Sequence, residues 1–186
     1  MTTVNGLPAH VLLVHAVVVL VPLTSLVIVL VAFWPAARRR LAIPAAVLSV
    51  VTLVAVPLTT EAGEWLEHRL PESELLRAHT ELGDGLLPWA IGLALVGIAV
   101  GAREVLANRT ARAGEDVPGP RSHARTGERG GRVVSLVLAV LAVVVAVGAT
   151  VTTYEIGDSG SRAAWTGQFS PTPLQQPGPP RPDDDG

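Results

Sequence analysis

The chain opens with the sequence GLPAHVLLVHAVVVLVPL at residues 6–23, and its apolar run continues as TSLVIVLVAFW to Trp34. A run of this length is long enough to cross a bilayer as a helix. Two imidazoles, those of His10 and His15, interrupt it. Because burying an ionisable group in hydrocarbon costs roughly 2 to 3 kcal/mol or more, such a group normally faces a bundle interior, a partner or the interface. The interpretation of the chain depends on what lies opposite these two histidines.

The composition points to a membrane protein rather than a soluble globule. Of 186 residues, 49% are hydrophobic and 16% are charged, and the mean hydropathy is +0.45. The absence of cysteine excludes disulfides, thiolate ligands and iron–sulfur clusters. Any metal or cofactor is therefore held by histidine, carboxylate or backbone oxygen. The formal net charge of −2 offers no argument for a nucleic-acid partner.

Four apolar segments reach the roughly 17 to 25 residues that a membrane helix needs. They cover residues 12–34, 41–58, 85–102 and 133–153. We therefore predict an all-α fold, a four-span up-down-up-down helical bundle over residues 1–169. A disordered tail rich in proline and aspartate is predicted to follow over residues 170–186. The first basic residue is Arg38, so we expect the N-terminal segment to be a retained span and not a cleaved signal peptide.

Arginine gives the predicted orientation. Ten of the 14 arginines lie in the first and third connections, at residues 35–40 and 103–132. By the positive-inside rule we expect these connections in the cytoplasm of a bacterium. Both termini are then extracytoplasmic, and the chain is a multi-pass protein of the plasma membrane.

Small residues mark predicted helix contacts. Gly97 and Gly101 form a GxxxG pair, and Ala142, Ala146 and Thr150 make a stripe on the fourth span. Such residues let helix backbones approach closely. The contacts belong either to the bundle itself or to a partner, which would be another membrane subunit or a second copy of the chain.

Helix rise places one polar group from each helix at a common depth. Measured from the inner arginines at about 1.5 Å per residue, His15, Glu64 and His79 lie about 34 to 36 Å out. Tyr154 and Glu155 lie about 33 to 35 Å out. This layer is at the outer edge of a hydrocarbon core about 30 Å thick. It fits either a set of helix-end groups that face headgroups and water, or a ligand site between facing helices.

A second layer contains His10 and His68, each about 42 Å out. His10 and His15 are about 140° apart round a helix, so they do not both point inward. We predict an inward His15 and an interfacial His10. Glu64 and His68 stand at i, i+4, a spacing that lets the carboxylate orient the imidazole or form an ordinary exposed pair.

Histidines on facing helices could ligate haem iron or, with a carboxylate, a divalent metal. We therefore predict a cofactor site for haem b or a divalent metal at the extracytoplasmic end of the bundle. Its candidate residues are His15, His79, Glu64, His10 and His68. The chain has no HExxH, P-loop or GxGxxG motif, so no enzymatic reaction is predicted.

The opening GLPAHVLLVH, the four spans, a histidine ahead of the third span and the segment YEIGDSGSRAAW at residues 154–165 carry a resemblance. Together they resemble the domain of unknown function 2231 family of bacterial membrane proteins, over about residues 5–169. The resemblance implies a four-helix membrane domain whose histidines invite comparison with b-type cytochromes. It implies no established activity. Members often have a histidine where this chain has Asp158.

Three functions stay open at this stage. The first is haem or metal binding through the histidine and glutamate layer. The second is a structural or assembly protein without a cofactor, which packs against partners through Gly97, Gly101 and the fourth-span stripe. The third is a small transporter or proton pathway. It ranks last because the middles of the spans carry no polar residue other than serine and threonine. In every case the lipid bilayer is a partner.

Overall fold

A computed structural model describes residues 3–115, 125–170 and 172–173. A two-stranded hairpin, β1 Thr3–Val4 and β2 Leu7–Pro8, precedes five helices. The helices are α1 Ala9–Phe33, α2 Pro35–Glu67, α3 Glu74–Asp84, α4 Leu86–Glu115 and α5 Arg125–Trp165. Four helical segments are long and apolar enough to cross a membrane: Ala9–Phe33, Pro35–Glu67, Glu74–Ala113 and Gly131–Trp165. The predominantly helical fold and four helices long and apolar enough to span are thus confirmed, whereas the predicted tail from residue 174 onward lies outside the described residues.

The hairpin is a feature that the sequence analysis did not predict. Thr3 pairs with Pro8 and Val4 with Leu7 in antiparallel register. The two loop residues, Asn5 and Gly6, have φ angles of 52° and 81°. Positive φ at both positions is what a two-residue type I′ turn requires, and Asn-Gly is its preferred sequence. The turn leads the chain directly into α1 at Ala9.

The helices extend beyond the predicted spans because much of the predicted connections is helical. The segment PAARRR at residues 35–40 forms the first turns of α2, and only Trp34, with φ −111° and ψ 106°, separates α1 from α2. Pro35 occupies the first helical position, where its missing N–H has no partner to lose. The predicted connection over residues 103–132 is likewise shortened, since α4 runs to Glu115 and α5 begins at Arg125.

The four long helices form a ring. Helix α1 packs against α2 and α5, α4 packs against the same two, and α1 and α4 lie across the diagonal. Thr24 on α1 shares a buried hydrogen bond of 2.7 Å between hydroxyls with Thr52 on α2. Thr52 Oγ1 in turn donates to the Leu48 carbonyl oxygen of its own helix at 2.9 Å, whereas the buried Ser25 hydroxyl has no hydrogen-bond partner among the described residues.

Stripes of small residues at heptad spacing line the interior. On α2 the buried residues recur at intervals of three and four, and we call them the α2 seam: Ala42, Ala45, Ser49, Thr52, Val56 and Thr59. The corresponding α5 seam is Ala139, Ala142, Ala146, Ala149 and Thr153. An apolar repeat of 3.5 residues keeps one face of a helix turned toward its neighbours over its whole length. Small side chains on that face bring the backbones close together.

The predicted GxxxG pair belongs to this interior. A Cβ atom on Gly97 would overlap the Ser49 side chain, and one on Gly101 would lie 3.0 Å from the Ala46 Cβ and 3.3 Å from the Ala42 carbonyl oxygen. Both glycines therefore contact α2 of the same chain. Of the two alternatives that the sequence left open for this pair, the structure shows contacts within the bundle.

Most of the small-residue stripe on the fourth span also lies inside the bundle. Ala142 and Ala146 are buried in the bundle, while Thr150 is exposed. Two of its three members are thus used within the chain. The stripe as a whole is not a free surface for a partner.

An ion pair closes the end of the bundle at which α2 begins; we call this the inner end and the opposite one the outer end. The Arg38 Nε and Glu104 Oε2 atoms are 3.7 Å apart, and the two side chains are 23% and 13% exposed. Arg38 stands four residues before Ala42, so it continues the α2 seam toward its N-terminal end. Beside the pair, Arg103 Nη2 donates a hydrogen bond of 3.0 Å to the Gly131 carbonyl oxygen. These two contacts join α4 to α2 and to α5.

The close approach of α4 to α2 gives the first prediction. Replacing Gly97 by Val forces a side chain into the space of Ser49, and we expect the free energy of unfolding to fall by about 1 to 3 kcal/mol, the usual cost of overpacking a core. Ile98→Val, one residue away on the exposed face, serves as the control and should leave stability nearly unchanged. Thermal unfolding in detergent measures both variants. Equal melting temperatures for the two would contradict the packing described here.

Candidate functional site

Two histidines meet at the end of the bundle opposite the Arg38–Glu104 ion pair. The ring centroids of His10, on α1, and His79, on α3, are 6.4 Å apart, with an angle of 76° between the ring planes. Both side chains are half-buried. We call His10 and His79 the histidine pair. It joins a bundle helix to the short helix α3.

The His10 ring is anchored on α2. Its Nδ1 atom lies 3.0 Å from the Thr59 carbonyl oxygen. A carbonyl oxygen only accepts hydrogen bonds, so Nδ1 carries the proton and Nε2 of the neutral ring keeps its lone pair. A Cβ on Gly63 would be 2.9 Å from His10 Cε1. Glycine at this position therefore leaves the space into which the ring fits.

The His79 ring is anchored on α5 in the same manner. Its Nδ1 atom lies 3.0 Å from Ser159 Oγ, and Ser159 Oγ donates its own proton to the Ile156 carbonyl oxygen at 2.9 Å. The hydroxyl oxygen therefore accepts from His79 Nδ1–H, which leaves Nε2 with the lone pair. A Cβ on Gly160 would be 2.9 Å from His79 Cε1. A glycine makes room for this imidazole as well.

Both glycines continue the seams of small residues. Gly63 stands four residues after Thr59, the last residue of the α2 seam, and Gly160 stands seven residues after Thr153, the last residue of the α5 seam. His10 itself stands seven residues before Val17, which is buried on α1. The histidine pair is thus the outermost layer of the bundle packing.

The structure corrects the prediction that His15 turns inward. His15 is exposed, and its Nδ1 atom bonds to the Val11 carbonyl oxygen of its own helix at 2.6 Å. It lies on the face of Val19 and Leu26, whose side chains are 63% and 65% exposed. The depth of His15 says nothing about its direction, and the buried stripe of α1 selects His10 instead. The predicted roles of the two residues are therefore exchanged.

Glu64 and His68 do not join the histidine pair. Glu64 is exposed, and His68 Nδ1 bonds to the Glu64 backbone carbonyl at 2.6 Å and not to its carboxylate. Tyr154 and Glu155 are also exposed. The predicted convergence of His15, Glu64 and His79 is corrected for these reasons. Within the described residues, no group of three or more histidine, aspartate or glutamate side chains is arranged to hold a metal ion.

Sequence reasoning missed Ser159, Gly160 and Gly63, and a signal for them was present. In an almost wholly apolar helix the apolar positions do not reveal the inward face, but small and hydroxylated residues do, because they pack or bond between helices. The seven-residue series from His10 through Val17 and Thr24 carries this signal on α1. Extending it outward leads to His10 and not to His15.

The fit of His10 beside Gly63 gives the second prediction. Exchanging a helical glycine for alanine normally adds about 1 kcal/mol of stability, and this gain is expected for Gly157→Ala, where a Cβ meets nothing within 4 Å. Gly63→Ala should lack this gain, because its Cβ displaces the His10 ring from Thr59 and the lost hydrogen bond offsets about 0.5 to 1.5 kcal/mol. Thermal unfolding of both variants measures the difference.

A double-mutant cycle isolates the cause. In a His10→Ala background, Gly63→Ala should behave like Gly157→Ala, since the ring that it displaces is gone. Additive effects of Gly63→Ala and His10→Ala would show that the glycine does not serve the histidine.

Comparisons with known proteins give no information on function, so the function is argued from the geometry. No family profile, no curated protein and no solved structure matches the chain. The resemblance to the domain of unknown function 2231 family accordingly stays a prediction. The function of the chain is argued from the histidine pair and its surroundings.

Proposed function

We propose that the chain is a multi-pass protein of the bacterial plasma membrane that binds a transition-metal centre between His10 and His79. The observation that carries this proposal is the hydrogen bonding of the two rings. Each imidazole donates its Nδ1–H to an acceptor on another helix, so the neutral ring keeps a lone pair on Nε2. Neutral imidazole nitrogen is the commonest metal ligand among side chains.

The anchoring of the rings supports the same function. Metal-ligating histidines almost always donate their other ring N–H to a carbonyl, carboxylate or water, which fixes the tautomer and the ring direction. The Thr59 carbonyl does this for His10, and Ser159 does it for His79. The ring centroids are 6.4 Å apart, with an angle of 76° between the ring planes. One metal ion between two imidazoles can span this separation.

The number of donors favours haem iron over a bare divalent ion. A structural zinc site takes four protein ligands and a catalytic one takes three. Around the histidine pair, the described residues supply two imidazoles and no third histidine, aspartate or glutamate. Haem iron needs only axial ligands from the protein, and the macrocycle supplies the other four nitrogens. A divalent ion would need water to complete its coordination.

The proposed orientation puts the site on the outer side of the membrane. Three facts support an up-down-up-down bundle with both ends extracytoplasmic: the arginine bias, the inner Arg38–Glu104 pair and the position of the histidine pair at the other end. The lipid bilayer is then the constant partner, and His10 and His79 face the extracytoplasmic interface. Ligand exchange with the outside would not require a path across the membrane.

Of the other two functions, neither gains a specific observation. An assembly role through Gly97 and Gly101 loses its surface, because both glycines contact α2. A proton pathway would need titratable groups through the bilayer, and the middle of the bundle offers hydroxyls such as those of Thr24 and Thr52. The cofactor site is therefore the function that the geometry supports best.

The third prediction tests the proposal directly. Protein purified from cells supplied with iron, zinc, copper and a haem precursor should carry a stoichiometric metal centre, seen as a Soret band for haem or by elemental analysis for a bare ion. His10→Ala and His79→Ala should each lose most of it, because each removes one of the two imidazoles of the proposed site.

A matched control separates ligand loss from general damage. His15→Ala changes a second histidine of α1, whose ring lies on the exposed face. This variant should keep the full content of haem or metal. Purified wild-type chain with neither a Soret band nor stoichiometric metal would overturn the proposed function.

A further inference from the structure

Helix α3 is held to the bundle unlike any of its neighbours. None of its side chains is buried, whereas α1 and α2 each bury a full stripe. Its side-chain hydrogen bonds to other elements, within the described residues, are the His79–Ser159 bond of 3.0 Å and a longer one of 3.4 Å from Thr80 to Glu67. Helix α3 therefore lies on the outer end of the bundle and is not part of its interior.

The junction between α3 and α4 is built to bend. Gly83 and Gly85 flank Asp84, and each glycine costs about 1 kcal/mol relative to alanine within a helix. Gly85 N–H donates to the Leu82 carbonyl oxygen at 3.1 Å, in place of the bond to the residue four before it. Pro88 has no N–H, so the Asp84 carbonyl has no helical donor. Glycines and a proline together are a recognised cause of helix kinks.

The other end of α3 is also a break in the helical structure. Residues 71–73 are non-helical, and Pro71 lies in this connection. The helix restarts at the Ser73 side chain, which accepts a hydrogen bond of 3.1 Å from the Leu76 N–H. This cap stabilises α3 as a separate unit. A helix bounded by two breaks in the regular helical structure can move without unfolding.

The two members of the histidine pair therefore differ in mobility. His10 belongs to α1 and is fixed on the α2 seam through Thr59. His79 belongs to α3, which packs along α5 and whose side-chain hydrogen bond to α5, within the described residues, is the His79–Ser159 bond. Movement of α3 would carry one ring away from the other and leave His10 in place.

We propose that α3 is a lid over the outer end of the bundle, which turns at residues 83–85 and 71–73 and is closed by the His79–Ser159 bond. The second part of the proposal rests on the proposed function: a metal centre that joins His79 to His10 holds the lid shut. Opening withdraws one of two ligands and exposes the other. The site is thereby loaded and emptied from the extracytoplasmic side.

Distance measurements between spin labels test the lid in the full-length chain. The chain has no cysteine, so Ala36→Cys and Glu81→Cys give a doubly labelled protein without further changes. Both residues are exposed, one at the inner end of α2 and the other on α3. Helix rise puts them on the order of 35 Å apart across the bilayer, within the range of electron-spin pulse methods.

Distances measured in the metal-free protein test whether α3 moves. In lipid nanodiscs we expect two distances, a shorter one for the closed lid and a longer one for the open lid. Ser159→Ala should shift the population toward the longer distance, since it removes the acceptor for His79. Ser161→Ala, which loses only a bond to the Asp158 carbonyl of its own helix, should change nothing. One narrow distance that is the same in wild type and Ser159→Ala overturns the lid.

Adding haemin, or zinc in a parallel sample, decides whether the centre closes the lid. When haemin or zinc binds, we expect the wild-type protein to show mainly the shorter distance. The distances in His10→Ala should not change. A centre that binds without moving the population overturns the closing role and leaves the proposed function intact. If neither probe binds, the proposed function fails, while the distances of the metal-free protein still confirm or overturn the lid.

Discussion

The close approach of the helices along stripes of small residues is the constraint on which the rest of the structure depends. In lipid there is little hydrophobic gain from bringing helices together, so van der Waals packing and interhelical hydrogen bonds hold them. Alanine, serine and threonine along the α2 seam and alanine along the α5 seam allow that packing. The hydrogen bond between Thr24 and Thr52 fits because both lie on these close faces. Any larger residue there would move a whole helix and not one side chain.

The same constraint positions the candidate site. Where the two seams reach the outer end of the bundle they finish in glycine, at Gly63 and Gly160, and each glycine lies beside an imidazole. The ring can then approach its acceptor, the Thr59 carbonyl for His10 and the Ser159 hydroxyl for His79. A histidine elsewhere on α1 has no such opening. This is why His10 is drawn into the bundle and His15 bonds to its own helix.

The sequence predicts the spans well and the direction of side chains poorly, for one physical reason. The length and apolar character of a span are set by the bilayer and can be counted along the chain. The inward face of α1 is set by its neighbours, and a helix that is apolar all round gives no amphipathic signal. Depth from helix rise placed His79 in one layer with His15 and put His10 in a second layer, whereas the structure brings His79 to within 6.4 Å of His10, five residues before His15 on α1. Helix α3 lies between the second and third predicted spans, and its separation from α4 falls at Gly85.

The two ends of the bundle differ in which elements their polar contacts join. At the inner end Arg38 and Glu104 link α2 to α4, and Arg103 links α4 to α5, so these contacts run between long helices. At the outer end the His79–Ser159 bond links the short helix α3 to α5, and such a bond contributes only about 0.5 to 1.5 kcal/mol net. Breaking it does not require two long helices to separate. Regions that bind and release ligands are drawn from the least stable parts of a fold, and the proposed lid would be such a part.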